Sequence, residues 1–182
     1  MQTLAAQALN EFSEYFEPLG ALKIDAIERA DIYPEIRPAS PGRLAVLLAT
    51  CEGVRFIDEQ LRSIEEQSWR DIDVWVSDDC STDGTLDVLE DWQRRWTRGS
   101  FIILKGPDRG FADNFRSLLA NADIDADYVA FCDQDDIWLP EKTKAAAEVL
   151  VHSGDRPALY CARTVIADAA GRERLRSALF RR

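Results

Sequence analysis

Two acidic clusters, each set directly behind an apolar run, are the residues in this chain with obvious chemistry. The first is Asp78-Asp79, with Asp83 four residues on, in Val76-Ser77-Asp78-Asp79-Cys80-Ser81-Thr82-Asp83-Gly84-Thr85. The second is Asp133, Asp135 and Asp136 in Phe131-Cys132-Asp133-Gln134-Asp135-Asp136-Ile137-Trp138-Leu139-Pro140. Carboxylates repel one another, so gathering them at one point calls for a cation or a shared proton. A divalent metal is the usual compensator, and hard cations such as Mg²⁺ bind one or two carboxylates together with substrate phosphates. The clusters therefore suggest a site for a metal-bound diphosphate. Helix caps and polar loop tips would account for Asp83, but three carboxylates within four residues exceed what capping needs.

The elements around the clusters alternate strand and helix. Leu44–Ala49 is a continuous apolar run, as expected of a strand covered on both faces. Strands are also predicted at 72–76, 101–104 and 128–132, with a further one starting at 158–161. Helices are predicted at 56–67, at 85–96 (with Asp83 as N-cap and Leu86, Val88, Leu89, Trp92 and Trp96 inward), at 111–122, and from Pro140 to about Val151. Repeated βα units imply an α/β fold with a doubly wound, mostly parallel sheet. Right-handed crossovers then bring Thr50-Cys51-Glu52-Gly53, Asp78-Asp79 and Asp133–Asp136 to one edge, where ligands bind. Packing is the simpler account of Trp75, Trp92, Trp96 and Trp138.

Residues 1–42 form a different region. Leu4, Ala8, Leu9, Phe12, Tyr15, Phe16 and Leu19 recur at helical spacing, so 3–17 is predicted as an amphipathic helix. A weaker helix at 22–30 and a Pro-rich linker follow. The apolar stripe is expected to dock on its own domain or on a second copy, which makes self-association through this helix a candidate property. The domain proper is expected to span 43–182.

Composition narrows the function classes. The 182 residues suit one domain with a sizeable core. A net charge of −11 argues against non-specific nucleic-acid binding, so nucleic acid is not an expected partner. Four cysteines without C-x-x-C spacing are expected to be buried free thiols. The lone histidine, His152, sits in a polar stretch and is expected to be a helix-end residue. No run reaches transmembrane length, and the N-terminus lacks a signal-peptide pattern. The expected location is cytoplasmic, with peripheral attachment to the membrane's inner face as the variant.

The ordered motifs resemble the family 2 glycosyltransferases, most of all the rhamnosyltransferase-type members of polysaccharide assembly. The resemblance runs from 43 to about 168. Its motifs are Thr50-Cys51-Glu52-Gly53, Glu59-Gln60-Leu61-x-Ser63-Ile64-x-x-Gln67, Ser77-Asp78-Asp79-x-Ser81-Thr82-Asp83-Gly84-Thr85, Asp108-x-Gly110-x-x-x-Asn114-Phe115, and Phe131 through Pro140-Glu141-Lys142. It implies the GT-A fold with its Rossmann-like nucleotide-sugar-binding half, a dTDP-, UDP- or GDP-sugar donor, Mg²⁺ or Mn²⁺, a glycan or lipid-linked acceptor, and inversion at the sugar carbon.

By position, the resemblance puts Thr50 and Glu52 against the nucleotide, and Asp78 and Asp79 on the nucleobase and ribose. Asp133-Gln134-Asp135 matches the family's Asp-x-Asp element. Asp135 is the expected metal ligand, with Asp136 or Asp133 helping through water or the ribose. Glu52 stands where most relatives have Asn, and its extra charge is expected to change donor preference or weaken donor binding. Arg109 is expected to be a solvated surface residue. The metal would neutralise charge on the leaving diphosphate as a Lewis acid.

An inverting transfer also needs a general base, which in the family lies beyond the metal motif. No residue here is assigned to it. Glu141 is expected in a helix's first turn, Asp155 and Asp168 in turns. Asp168-Ala169-Ala170-Gly171 resembles the family's tight turn between strands, so the partner strand and the acceptor half are expected to be missing. The basic run from Arg172 to Arg182 is expected to be solvated or disordered. Binding without turnover is then the expectation for this chain alone. Two other classes stay open: a sugar nucleotidyltransferase, although the Gly-rich basic loop it needs is poorly matched, and a non-enzymatic binding or scaffold module with a degenerate site. A receiver-type signalling domain is disfavoured, because its acidic pair follows the first strand.

Overall fold

The computed structural model describes residues 42–154, 156–168 and 172–177. The helices expected at 3–17 and 22–30, the linker, and the self-association surface placed on them lie outside the described residues. The described residues fall into two compact units, 42–160 and 161–177.

The larger unit runs β1 (Leu44–Thr50), α1 (Ile57–Glu65), β2 (Ile72–Asp78), α2 (Thr85–Arg95), β3 (Phe101–Lys105), α3 (Phe111–Leu119), β4 (Tyr128–Asp133) and α4 (Lys142–Leu150), with a 3₁₀ turn at Val151–Ser153. The four strands are all parallel, in the order β3-β2-β1-β4. β1 is buried along its whole length because it has a strand on each side and helices on both faces. Its alternating side chains feed two cores. Val46 and Leu48 join Ile57, Leu61 and Ile64 of α1 and Leu89 and Trp92 of α2. Ala45 and Leu47 join Phe115 and Leu118 of α3. This is the α/β, doubly wound sheet that the alternating pattern implies.

The chain adds β2 and β3 on one side of β1 and then crosses to place β4 on the other. That reversal opens a crevice at the C-terminal ends of β1 and β4, the place where open α/β sheets take ligands. β4 lies at the sheet edge and is covered on one face only: Cys132 is buried while Val129, Phe131 and Asp133 are exposed.

Several local expectations are corrected. Gly84, in the left-handed region at φ 98°, is the N-cap of α2, not Asp83. Asp83 acts one residue earlier and accepts the Thr85 N–H at 3.0 Å. Leu86 is exposed because the inward stripe of α2 runs through Leu89 and Trp92. α3 stops at Leu119. α4 starts at Lys142, since Pro140 belongs to a preceding turn closed by the Lys142 N–H on Leu139 O at 2.9 Å. No strand forms at 158–161.

The smaller unit is an antiparallel hairpin of β5 (Val165–Ala167) and β6 (Glu173–Arg176). The partner strand expected to be missing is therefore present: Glu173–Arg176, from the tail expected to be solvated or disordered, pairs with Val165–Ala167. Its side chains are exposed, and Asp168 ties its ends by ion pairs to Arg172 at 2.9 Å and Arg174 at 2.7 Å.

Candidate functional site: the crevice at the strand ends

The loop after β1 is tied to both neighbours. Toward β2, the Glu52 N–H donates to Ser81 Oγ at 2.8 Å, and Glu52 Oε1 accepts from Thr82 N at 2.7 Å and Thr82 Oγ1 at 3.0 Å. Gly53 N–H donates to Thr85 Oγ1 at 2.8 Å, and Val54 N–H to Asp83 Oδ2 at 3.0 Å. The Thr85 hydroxyl, with the Val54 and Thr85 N–H groups, holds the Asp83 carboxyl below its ordinary range. Toward β4, Gln134 pairs reciprocally with the backbone of Cys51: Oε1 accepts the Cys51 N–H at 2.9 Å and Nε2 donates to the Cys51 carbonyl at 3.0 Å. A side-chain amide thus copies a strand pairing across the crevice where the ladder has ended.

Asp78 and Asp79 are 3% and 7% exposed and are spent on the fold. Asp78 accepts from Thr50 Oγ1 at 2.9 Å, Ser81 Oγ at 2.6 Å and Ser81 N at 2.9 Å. Asp79 accepts the N–H groups of Asp108 and, at 3.0 Å, Gly110, so it organises the loop after β3. Asn114 donates through Nδ2 to Ser77 O at 2.9 Å and Thr50 O at 3.3 Å. A Cβ on Gly106 would sit 2.7 Å from Asp79 Oδ1 and 2.8 Å from the Asp78 carbonyl, which explains the glycine. Among the described residues, three non-glycine residues have positive φ, and each lies in the loop after one of the first three strands: Glu52 (50°), Cys80 (64°) and Asp108 (56°). Such strain persists only where the surroundings over-determine it, and it concentrates at functional edges.

The loop after β4 is different in kind. Asp133, Asp135 and Asp136 are exposed, and among the described residues no hydrogen bond or ion pair involves their carboxylates. Burial of one side pushes the pKa of Asp133 and Asp136 up, although their surfaces reach solvent; repulsion from Asp136 and Asp135 adds to this at Asp133, and from Asp135 at Asp136. Lys142 opposes both rises.

Beneath the loop is a buried polar scaffold from α1. Ser63 Oγ accepts the Trp138 N–H at 3.0 Å, Gln60 Nε2 donates to Cys132 Sγ at 2.8 Å, and Gln67 joins Leu139 O to Thr143. Gln60 and Ser63 lie on one face of α1 at i, i+3, and Gln67, two residues past the helix end, extends the support beneath the acidic loop. Burial pushes the Cys132 thiol far up.

The structure thus brings the predicted residues to one edge but divides them. Thr50 (1% exposed), Asp78 and Asp79 form its hydrogen-bonded back; Glu52 clamps its β2 side; Asp133, Asp135 and Asp136 stand open. Gln134 belongs to the site as well; it stands in the quoted motif, but as the variable position of Asp-x-Asp its residue type assigned it no role. Arg109 is exposed and pairs with Asp113 at 3.2 Å. All four thiols are free, but only Cys132 is buried; Cys51, Cys80 and Cys161 lie in exposed loops, against the expectation.

Among the described residues, no three His, Cys, Asp or Glu side chains converge as a ready metal cage. The open carboxylates nevertheless fit a hard cation that shares its shell with phosphate oxygens, because such a cation needs only one or two protein carboxylates. Among the described residues, no helix is long and apolar enough to cross a membrane.

The glycosyl transferase family 2 model matches residues 45–179. Over 108 residues the chain is 43% identical to the dTDP-rhamnosyl transferase RfbG of Shigella flexneri, covering 57% of this chain and 37% of that protein. It is 28% identical over 94 residues to a GalNAc(5)-diNAcBac-PP-undecaprenol beta-1,3-glucosyltransferase of Campylobacter jejuni, covering 52% of this chain and 30% of that protein. The chain thus spans about a third of the length of these curated relatives. Among solved structures, the mannosyltransferase PcManGT of Pyrobaculum calidifontis, in complex with GDP-Man and Mn²⁺, superposes with a TM-score of 0.55 at 26% identity, covering 69% of this chain and 35% of that one. S. aureus TarS gives 0.51 at 25% identity, covering 60% and 20%.

Proposed function

The chain belongs to glycosyl transferase family 2 and has its GT-A-type fold, and on that premise we propose that residues 42–160 bind the nucleoside-diphosphate-sugar donor through a divalent cation. The donor would be a dTDP-, UDP- or GDP-sugar, used in inverting transfer to a glycan or lipid-linked acceptor. The observation that carries this reading is the contrast at the crevice: the carboxylates of Asp78 and Asp79 are taken up by hydrogen bonds, whereas those of Asp133, Asp135 and Asp136 make none among the described residues.

In this reading, the back built by Thr50, Asp78 and Asp79 shapes the cleft for nucleobase and ribose. Asp135 and Asp136 hold Mg²⁺ or Mn²⁺, and Asp133 borders the ribose. The cation would supply Lewis-acid neutralisation of the departing diphosphate. The protein contributes preorganisation: the Gln134–Cys51 bridge fixes the acidic loop relative to the nucleotide wall, so little reorganisation is needed as charge develops. The likeness to the Shigella rhamnosyl transferase favours a deoxysugar donor on dTDP. No described carboxylate is assigned as general base, and completion of the transfer is proposed to require residues beyond this unit.

Calorimetric titration of UDP, dTDP and GDP, with Mn²⁺ or Mg²⁺ and with chelator, tests the reading. One nucleotide is expected to bind only with metal, and Asp135→Ala to abolish that binding in a folded chain. Failure of all three to bind a folded wild-type chain would overturn it.

A further inference from the structure

Gln134 stands between the two carboxylates of the Asp-x-Asp element and reaches across the crevice to the loop after β1. Its amide meets the Cys51 backbone twice, accepting the N–H at 2.9 Å and donating to the carbonyl at 3.0 Å. The β1–β4 ladder ends at the pair Ala49 and Asp133. The side chain therefore ties the two loops just past the last rung. Among the described residues no other hydrogen bond joins these loops.

Gly53 makes room for that reach. It is buried, and its φ is not positive, so its backbone does not itself call for glycine. Its N–H donates to Thr85 Oγ1 at 2.8 Å, and its carbonyl accepts the N–H groups of Phe56 at 2.9 Å and Ile57 at 3.1 Å. Held from both sides, Gly53 has no freedom to step aside. A Cβ there would collide with Gln134 Oε1 and lie 2.8 Å from Gln134 Cδ and 3.5 Å from its Cγ. The three atoms nearest to such a Cβ all belong to Gln134. The space left by the missing side chain is thus fitted to one group, the Gln134 amide.

We propose that Gly53 and Gln134 form a two-part latch, in which Gln134 positions the acidic loop against the loop after β1 and Gly53 is glycine in order to admit it. Gln134 is a positioning residue, since it acts through the adjoining Asp133 and Asp135. The residue between the carboxylates is then a requirement of this chain and not a spacer. The latch stands on the geometry alone; its service to cation and donor rests on the donor-binding reading above.

Two measurements test it together. Urea denaturation of wild type, Gly53→Ala, Gln134→Ala and the double variant reads the latch. Gly53→Ala is expected to lower the midpoint in the wild type and not in the Gln134→Ala background, where the added methyl meets no amide. The unfolded-state effect of replacing glycine is common to both backgrounds and cancels in the cycle. Calorimetry with dTDP, UDP and GDP in saturating Mn²⁺ reads the positioning in the folded variants. Without the latch, binding must itself order the acidic loop. Nucleotide affinity is therefore expected to fall about tenfold in either single variant, the net worth of one or two hydrogen bonds, and no further in the double. Trp96→Phe removes a bond to the Ile72 carbonyl, at the opposite end of the sheet, and is expected to lower the midpoint while leaving affinity unchanged. An additive urea cycle would overturn the latch, and unchanged affinity in a folded Gln134→Ala would overturn its positioning role. If the wild type binds no nucleotide, the donor-binding reading fails, and the urea cycle alone decides the Gly53–Gln134 pair.

Discussion

The carboxylates behind β2 and those behind β4 are the same chemical group put to opposite uses. Asp78 and Asp79 are buried and surrounded by donors, from Ser81 close by and from Thr50, Asp108 and Gly110 in loops about 30 residues distant in sequence. Asp133, Asp135 and Asp136 are open, and burial of one side together with mutual repulsion pushes the pKa of Asp133 and Asp136 up. A buried carboxylate without donors costs several kcal/mol, so the first pair must be satisfied for the chain to fold. An exposed trio costs far less and can remain unsatisfied until a ligand arrives. One region has converted its charge into rigidity; the other has kept its charge available. The Gln134–Cys51 bridge joins the two.

The largest effect expected from breaking this contrast is at Asp79. Asp79→Ala leaves the Asp108 and Gly110 N–H groups without an acceptor, next to a residue already held at positive φ. A loss of about 2–4 kcal/mol is expected in urea denaturation. Asp135→Ala in the same experiment is expected to change stability by less than about 0.5 kcal/mol. Equal costs for the two substitutions would erase the distinction.

A smaller effect, of opposite sign, is expected at the open cluster. Asp133 and Asp136 have raised pKa values, so the folded chain holds more protons than the unfolded one between the ordinary carboxylate value, about 3.9, and the raised value. Stability therefore falls as pH rises through that window. Asp136→Asn and Asp133→Asn should each be slightly more stable than wild type at pH 7 without metal, and the gain should vanish as pH falls to about 4. Urea midpoints at the two pH values check this. A gain that does not change with pH would point to packing instead of charge.

The sequence carried the sheet more clearly than the site. β1 announces itself as a continuous apolar run, β2 and β4 as apolar runs ending in acids, and the parallel order follows from the intervening helices. What failed was decided by partners remote in sequence. Pro140 looks like a first-turn proline, but Gln67 and Ser63 draw 138–143 into a turn, and α4 begins later. Ala158–Cys161 has the apolar character of a strand and no partner, whereas the charged Glu173–Arg176 gains one through the hairpin. Both acidic clusters were legible as clusters. Which one the fold consumes was not, because the donors to Asp78 and Asp79 come from Thr50, Ser81, Asp108 and Gly110. Gln134 was invisible for the same reason: its partner, the Cys51 backbone, is 83 residues away.

Glu52 lies between the two regions, and the smallest predicted change sorts it. Its carboxylate clamps Thr82, as the buried pair clamps its loops, yet it is exposed like the open trio. Glu52→Gln keeps an acceptor for both Thr82 bonds and removes only the charge, so stability should move by less than about 0.5 kcal/mol. Glu52→Asn loses reach to Thr82 but suits a φ of 50° better, since asparagine tolerates the left-handed region; those terms oppose, and a net change within about 1 kcal/mol is expected. The discriminating readout is nucleotide affinity measured beside stability. If Glu52 borders an anionic ligand, Glu52→Gln should tighten nucleoside-diphosphate binding at unchanged stability, because one like charge has left the cleft. If its charge serves the clamp, Glu52→Gln should lower stability and leave affinity where it was, and Glu52 would then belong with Asp78 and Asp79.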